Sequence, residues 1–296
     1  MTSLAEKINT LPSLRVTVEA HGLMAKKALG QNFLLDRNIT DKIIRLSLEK
    51  QRLQNFADAD VFEVGPGPGG LTRAVMSAEP RHFTVVEMDE RCVQIMEDIR
   101  RLAPEKMTII NGDALTTDFS IMGEEPRHVV SNLPYNISVP LLVGWLKNIS
   151  RYRSLTLMFQ KEVAERIMAP IKTKDYGRIS ILSQLQCQID KLLDLSPESF
   201  VPAPKIWSSV LLFRPLENTL TAEQIRKIEK ITQVCFAQRR KMIRQSLKGF
   251  ANLESASQKA GVLLTMRPEE ITPQQFLILS ENLWKSLAFL FISFII

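Results

Sequence analysis

The tetrapeptide Asn132-Leu133-Pro134-Tyr135 puts an amide, a proline-stiffened turn and an aromatic ring within four residues. It follows the apolar run Val129-Val130-Ser131, which reads as a buried strand. The tetrapeptide then falls at a strand's carboxyl end, where α/β sheets hold ligands. The chemistry such a set could do is to grip the exocyclic amine of a flat base. The Asn132 side-chain oxygen can accept one amine hydrogen, the Leu133 main-chain carbonyl can accept the other, and the Tyr135 ring can stack on the base. The same residues also fit a plain strand-to-turn junction with a half-buried Tyr, since Asn-x-Pro is ordinary turn chemistry.

A second candidate lies upstream. Glu63-Val64-Gly65-Pro66-Gly67-Pro68-Gly69-Gly70 follows the run Val61–Val64 and opens a helical pattern. Gly65, Gly67 and Gly70 fit the dinucleotide fingerprint, and the acidic Glu87 stands about 20 residues on, placed to bond ribose hydroxyls. Pro66 and Pro68 separate two readings. A pyrophosphate needs converging main-chain N–H groups, and two are missing. Glu63 would add negative charge beside a phosphate. A cationic adenosyl ligand, S-adenosylmethionine, suits this loop better than a nicotinamide dinucleotide. Gly112-Asp113-Ala114 follows a third strand, and Asp113 can accept from an adenine amine.

These residues need a scaffold, and the pattern supplies one. Strand runs at Val61–Val64, Phe83–Glu87, Met107–Ile110, Val129-Val130 and Leu155–Phe159 alternate with helical stretches at Leu71–Ala78, Asp89–Leu102, Val139–Leu146 and Lys161–Met168. Such alternation predicts crossover units and a mainly parallel sheet covered on both faces. Gly177–Gln188 reads as helix, and Leu192–Leu195 with Val210–Phe213 as late strands at a sheet edge. Beyond Pro215 the pattern is helical, opening at Thr221-Ala222-Glu223-Gln224. The expected organisation is an extension over residues 1–25, a Rossmann-like α/β methyltransferase domain over 26–216 and an all-helical C-terminal domain over 217–296.

Three stretches resemble the ribosomal RNA adenine dimethyltransferase family: Lys27-Ala28-Leu29-Gly30-Gln31-Asn32-Phe33-Leu34, Asn132-Leu133-Pro134-Tyr135-Asn136-Ile137-Ser138 and Ser199-Phe200-Val201-Pro202-Ala203-Pro204-Lys205. By that resemblance Asn32, Leu34, Gly65 and Gly67 line the cofactor site from one side. Glu87, Met88, Asp113, Ala114 and Asn132 line it from successive strand ends. Asn132, Leu133, Pro134 and Tyr135 hold the target adenine, with Phe200 on the opposite face of the flipped base. Phe200 also fits a core anchor. The resemblance implies N6,N6-dimethylation of two adjacent adenosines near the 3′ end of 16S rRNA in an assembling small ribosomal subunit. Trp207 departs from the family pattern, which usually has Asp there, and the apolar tail Leu287–Ile296 looks foreign to it.

The composition is compatible with this. The 296 residues are 45% apolar and carry a net charge of +6, which favours a polyanionic partner. Basic residues gather at Lys26-Lys27 and at Arg239-Arg240-Lys241 with Arg244. Arg240 and Arg244 are expected on one helix face, as an RNA contact or as a solvated surface. Cys92, Cys187 and Cys235 lack pair spacing and read as core residues in a reducing, cytoplasmic setting; no metal site is expected from them or from the scattered histidines. Residues 1–25 lack a secretory pattern, and Leu287–Ile296 is too short to span a bilayer, which takes about 20 residues. No membrane partner is expected, and the enzyme is read as a monomer. Two alternatives stay open: a large-subunit (23S) rRNA adenine methyltransferase, against which Leu133 and the long helical C-terminus argue, and a non-catalytic RNA-binding ribosome assembly factor.

Overall fold

The computed structural model describes residues 3–23 and 32–283. Lys26, Lys27 and the tail Leu287–Ile296 lie outside the described residues. The strands, in chain order, are β1 (Phe33–Leu34), β2 (Asp60–Val64), β3 (His82–Glu87), β4 (Met107–Asn111), β5 (Arg127–Asn132), β6 (Ser154–Gln160), β7 (Cys187–Leu195), β8 (Phe200–Val201) and β9 (Ser208–Pro215). The helices are α1 (Leu4–Asn9), α2 (Leu14–Ala20), α3 (Arg37–Gln51), α4 (Gly70–Ser77), α5 (Glu90–Arg100), α6 (Ser138–Lys147), α7 (Lys161–Met168), α8 (Arg178–Gln186), α9 (Ala222–Ala237), α10 (Ile243–Ser246), α11 (Leu253–Ala260) and α12 (Pro273–Asn282).

Seven strands form one sheet in the order β4-β3-β2-β5-β6-β9-β7. β2 pairs in parallel with both β3 and β5, β3 with β4, and β5 with β6, while β9 runs antiparallel to β6. The chain therefore leaves β2 toward one edge and resumes at β5 toward the other. The carboxyl ends of β2 and β5 flank the point where strand order reverses, and a crevice opens there in sheets of this kind. Every residue of β2 is buried, including Asp60 and Glu63, so the polar ones need partners. Asp60 accepts from Arg81 Nε at 2.7 Å, and Glu63 accepts the Thr72 hydroxyl at 2.6 Å.

The helices follow from periodicity and capping. In α5, Cys92, Ile95, Met96 and Ile99 form the buried stripe, and the Asp89 side chain caps the first turn by accepting from Arg91 N–H. The N-terminal region, expected only as an extension, forms two helices whose Ile8 and Val18 sit in the main core with Val75, Met76 and Ile95. Each is capped by a serine, Ser3 and Ser13. The three cysteines are buried and free, and burial pushes each thiol well up, as suits packing residues.

The described residues of Met1–Ala164 and Ile189–Pro215 form one compact unit, and those of Glu165–Gln188 and Leu216–Ile296 form a second. The second is helical and has its own core of Ile181, Leu185, Ile228, Ile231, Phe276 and Leu279. It takes in residues 165–188, which the strand-helix alternation assigns to the α/β domain. Tyr176 explains the grouping: it is fully buried there and donates its hydroxyl to the Ile271 carbonyl at 2.8 Å. Thr221 and Gln224 form the capping box that opens α9, as the sequence predicts.

Candidate active site

The cleft at the strand-order reversal is lined by Asn32, Phe33 and Leu34, by the loop from Gly65 to Pro68, by Glu63, Gly70, Leu71 and Glu87, and by Asn132, Leu133, Pro134 and Tyr135. It encloses about 690 Å³ of space between atoms, part of it continuous with solvent. Two glycines show why it takes this shape. Gly67 has φ of +55°, and a Cβ there would stand 3.0 Å from the Phe33 ring. A Cβ on Gly70 would collide with the Leu34 main-chain oxygen. The glycine loop is thus fitted against β1, which is itself held by antiparallel pairing of Leu34 with Phe200 and Phe33 with Val201.

Three of the loop's amides are already committed. Gly65 N–H donates to the Val86 carbonyl, Gly67 N–H to Glu87 Oε2 at 3.2 Å and Gly69 N–H to the Pro66 carbonyl, while Pro66 and Pro68 have none to give. Two prolines and three committed amides leave the loop itself poor in the N–H groups a pyrophosphate uses, although Gly70 and Leu71 at the start of α4 also line the cleft. The carboxylates point instead to a cation. Glu87 accepts three main-chain N–H groups, from Gly67, Met88 and Asp89. A carboxylate has about four acceptor positions, so one remains for a ribose hydroxyl. Burial raises the Glu87 pKa, and the three N–H bonds oppose that rise. Glu63 is 1% exposed, and burial pushes it up to about 8 against the Thr72 bond, with the charge of Glu87 adding to the rise. This corrects one step of the sequence argument. Glu63 is largely protonated at neutral pH, so it repels an anion less than a free carboxylate would. A ligand bearing a sulfonium and an ammonium would draw the charged form out.

Across the cleft, Asn132 ends β5. The neighbouring Ser131 hydroxyl donates to the Val64 carbonyl at 2.7 Å, tying β5 to β2 just before both loops begin. Asn132 Nδ2 donates to the Asn32 carbonyl at 3.3 Å, which orients the side-chain amide and leaves Oδ1 as its acceptor end. In the turn, the Pro134 carbonyl takes Ile137 N–H and the Tyr135 carbonyl takes the Ser138 hydroxyl, whereas among the described residues no turn or loop N–H is bonded to the Leu133 carbonyl. Tyr135 is half-buried, with its hydroxyl 2.7 Å from that of Ser208. Burial raises the Tyr135 pKa despite that bond, so the ring stays neutral.

Some expected residues stand elsewhere. Asp113 and Ala114 follow β4, beside Glu87 through the bond from Gly112 N–H to the Glu87 carbonyl, but they are not among the residues lining the cleft. Asp113 Oδ1 accepts Leu115 N–H at 2.9 Å. Met88 is 67% exposed and also outside the lining. Phe200 is 2% exposed and shares the main core with Phe33, Val130 and Leu195, so in this structure it is a core anchor and not a wall of the cleft. The expected helix through Arg240 and Arg244 is corrected. α9 ends at Ala237, Arg240 and Lys241 lie in the following turn and bend, and Arg244 lies in the short α10. The break is held by main-chain bonds from Ile243 to Met266 and from Arg244 to Leu264, which no charge pattern reveals. Arg240, Lys241 and Arg244 are all exposed, while Arg239 is held by Glu269 at 2.8 Å. Ser208, Thr72 and Ser131 support the site through partners distant in sequence and carry no local signal. Among the described residues no group of His, Cys, Asp and Glu could hold a metal ion.

The sheet order and the carboxylate-lined glycine loop are those of a Rossmann-like methyltransferase. A family model of ribosomal RNA adenine dimethylases matches residues 22–285, and the chain belongs to that family. S-adenosylmethionine is its methyl donor. Ribosomal RNA small subunit methyltransferase A of Rhodospirillum rubrum is 42% identical over 266 residues, covering 90% of each chain. The protein of that name from Jannaschia sp. is 43% identical over 273 residues, covering 91% of this chain and 92% of that one. Among solved structures, a dimethyladenosine transferase from Plasmodium falciparum shares the fold with a TM-score of 0.68 at 23% identity, over 82% of this chain and 94% of that one. The 23S rRNA methyltransferase ErmE gives a TM-score of 0.62 at 25% identity, over 85% and 99%.

Proposed function

We propose that this protein dimethylates N6 of two adjacent adenosines near the 3′ end of 16S rRNA, within an assembling small ribosomal subunit. The observation that carries this reading is Asn132. Its amide nitrogen is engaged by Asn32, and its oxygen end remains to accept from an amine at the mouth of a cofactor cleft. The cofactor, when bound, supplies an electrophilic methyl on a sulfonium. Glu63 and Glu87 would hold its cationic and ribose groups, with Asn32, Leu34, Gly65 and Gly67 around it. Asp113, Ala114 and Met88 are assigned to its adenine end.

The adenine amine is a weak nucleophile because its lone pair is conjugated into the ring. Asn132 Oδ1 and the Leu133 carbonyl, each accepting one N–H, favour a pyramidal nitrogen and aim its lone pair. Positioning of this kind can be worth roughly 7–11 kcal/mol at best. No general base is needed before transfer, because the amine is neutral, and the proton leaves afterwards to water. His128 could not serve. It lies at the amino end of β5, hydrogen-bonded to Ser154, and burial lowers its pKa to about 4. Extruding the target from a helix costs a few kcal/mol, and stacking on Tyr135 offsets roughly 1–3 kcal/mol of that.

The relatives at about 42% identity are named for the small subunit, which favours that substrate over the large-subunit alternative. A non-catalytic assembly factor would have no need of Asn132 or Glu87, and both stand in the cleft. The enzyme is read as monomeric and cytoplasmic; no described helix is long and apolar enough to cross a membrane. Lys26, Lys27, Arg240, Lys241 and Arg244 are assigned to RNA phosphates. Reversing the charge of Arg240, Lys241 and Arg244 should weaken RNA binding and flatten its salt dependence. An unchanged slope removes them from the footprint. The reading itself is tested by methyl transfer from labelled cofactor to small ribosomal particles lacking the modification, followed by nuclease digestion and mass spectrometry. Two dimethylated adenosines are expected. Label elsewhere, or none, refutes it.

A further inference from the structure

Trp207 directly precedes Ser208, whose hydroxyl meets that of Tyr135, and it is about half exposed, at 48%, in the segment that leads into β9. Exposure alone means little, since single apolar residues are common on surfaces. Three further observations set Trp207 apart. Its main chain is pinned: the Trp207 carbonyl accepts Lys161 N–H at 2.9 Å, at the end of β6. A cation attends its ring: Lys161 Nζ is 5.6 Å from the ring centroid, within cation–π range. The next residue in the chain, Ser208, holds the hydroxyl of Tyr135 at 2.7 Å, so the two aromatic residues are tied to one support.

The local charge is also suited to RNA. Lys161 and Lys191 share Asp194, at 3.9 and 2.9 Å, and Asp194 further accepts the Ser209 hydroxyl at 2.6 Å. Lys205 is exposed two residues before the indole. Two lysines thus share one carboxylate, and a third lies two residues from the indole in the chain. A half-open indole on a pinned main chain, with Lys161 at its ring and Lys205 two residues away, offers what single-stranded nucleic acid uses: a π-face for a base and positive charge for its phosphates.

We propose that Trp207 is a second base-stacking position, which takes a nucleotide flanking the target adenosine while Tyr135 takes the target itself. This rests on the rRNA methyltransferase reading given above. Trp207 touches neither the amine nor the cofactor; it positions the strand. Stacking tolerates any base, so the site adds affinity and register with little sequence preference.

The test uses the full-length protein and small ribosomal particles lacking the modification. Trp207→Ala should raise KM for the particles at least about fivefold with kcat changed less, and Trp207→Phe should restore most of it. Cofactor affinity by calorimetry and the melting temperature should match the wild type in both variants. In a second arm, a single-stranded RNA decamer with two adjacent adenines is titrated against the wild type and Trp207→Phe. Indole emission should be quenched in the wild type, with most of the quench lost in the variant. An unchanged KM in Trp207→Ala, or a quench of equal size in Trp207→Phe, overturns the stacking position. If the wild type methylates no particle at all, the methyltransferase reading fails first and this inference falls with it. Intact transfer with an indifferent Trp207 sinks this inference alone.

Discussion

On the glycine-loop side of the cleft stand two buried carboxylates, Glu63 and Glu87, both with raised pKa values. On the opposite side stand an amide, a main-chain carbonyl and a neutral Tyr, none of which ionises near neutral pH. One half is thus organised around charge and the other around orientation. The contrast suits the two ligands of the proposed reaction: a cationic cofactor, whose charge can be answered by a carboxylate, and a neutral amine, whose hydrogens need acceptors in fixed positions. It also teaches where sensitivity should lie. Proton-linked effects belong to the cofactor half, and geometric effects to the base half.

The most direct way to break this contrast is Asn132→Ala. The variant should bind cofactor nearly as well as the wild type and lose about a hundredfold in single-turnover rate, or roughly 2.7 kcal/mol. A loss below about tenfold would remove the orienting role. Next in size is Gly70→Ala, whose added carbon meets the Leu34 main chain. About 2 kcal/mol of stability should be lost by chemical denaturation, with weaker cofactor binding as β1 is pushed off the loop. Wild-type stability would mean that β1 is not seated as described.

Glu63 sharpens the charge side. Its folded pKa of about 8 lies above the ordinary 4.5, so between these values the folded chain keeps a proton that the unfolded chain has released. The stability from this group is whole below about 4.5 and is lost as pH rises through about 8. Glu63→Gln should therefore show a shallower fall in stability from pH 5 to pH 8. Cofactor binding near pH 7 should release protons from the wild type and fewer from the variant, read by calorimetry in buffers of different ionisation enthalpy. Equal proton release in both would place the coupling elsewhere. The smallest effect is expected for Tyr135→Phe, which loses the Ser208 bond, worth about 1 kcal/mol, and keeps the stacking face. Tyr135→Ala should also lose the fluorescence rise of a 2-aminopurine-labelled RNA. If that signal persists, stacking belongs to another ring.

Much of the scaffold was legible because it is periodic. β2 through β6 and the helices between them appear in the sequence as apolar runs and stripes, and a buried parallel strand has few other ways to look. Segments that depend on distant partners were not. β1 and β8 are two residues each and exist only because they pair with each other. The basic run near Arg240 reads as a helix by spacing, but main-chain bonds to Leu264 and Met266 break it. Phe200 fits either a stacking ring or a core anchor until its neighbours are known, and they prove to be core.

By itself the sequence determined which functional groups exist and at which strand ends they fall: the proline-interrupted glycine loop, Glu87, Asp113 and the Asn132–Tyr135 turn. Tertiary structure alone decided which of them face one cleft, how far burial shifts Glu63 toward its neutral form, and which end of the Asn132 amide is left to act. The reason is that side-chain chemistry is local to the residue, whereas desolvation and hydrogen-bond partnership depend on atoms brought in from elsewhere in the chain.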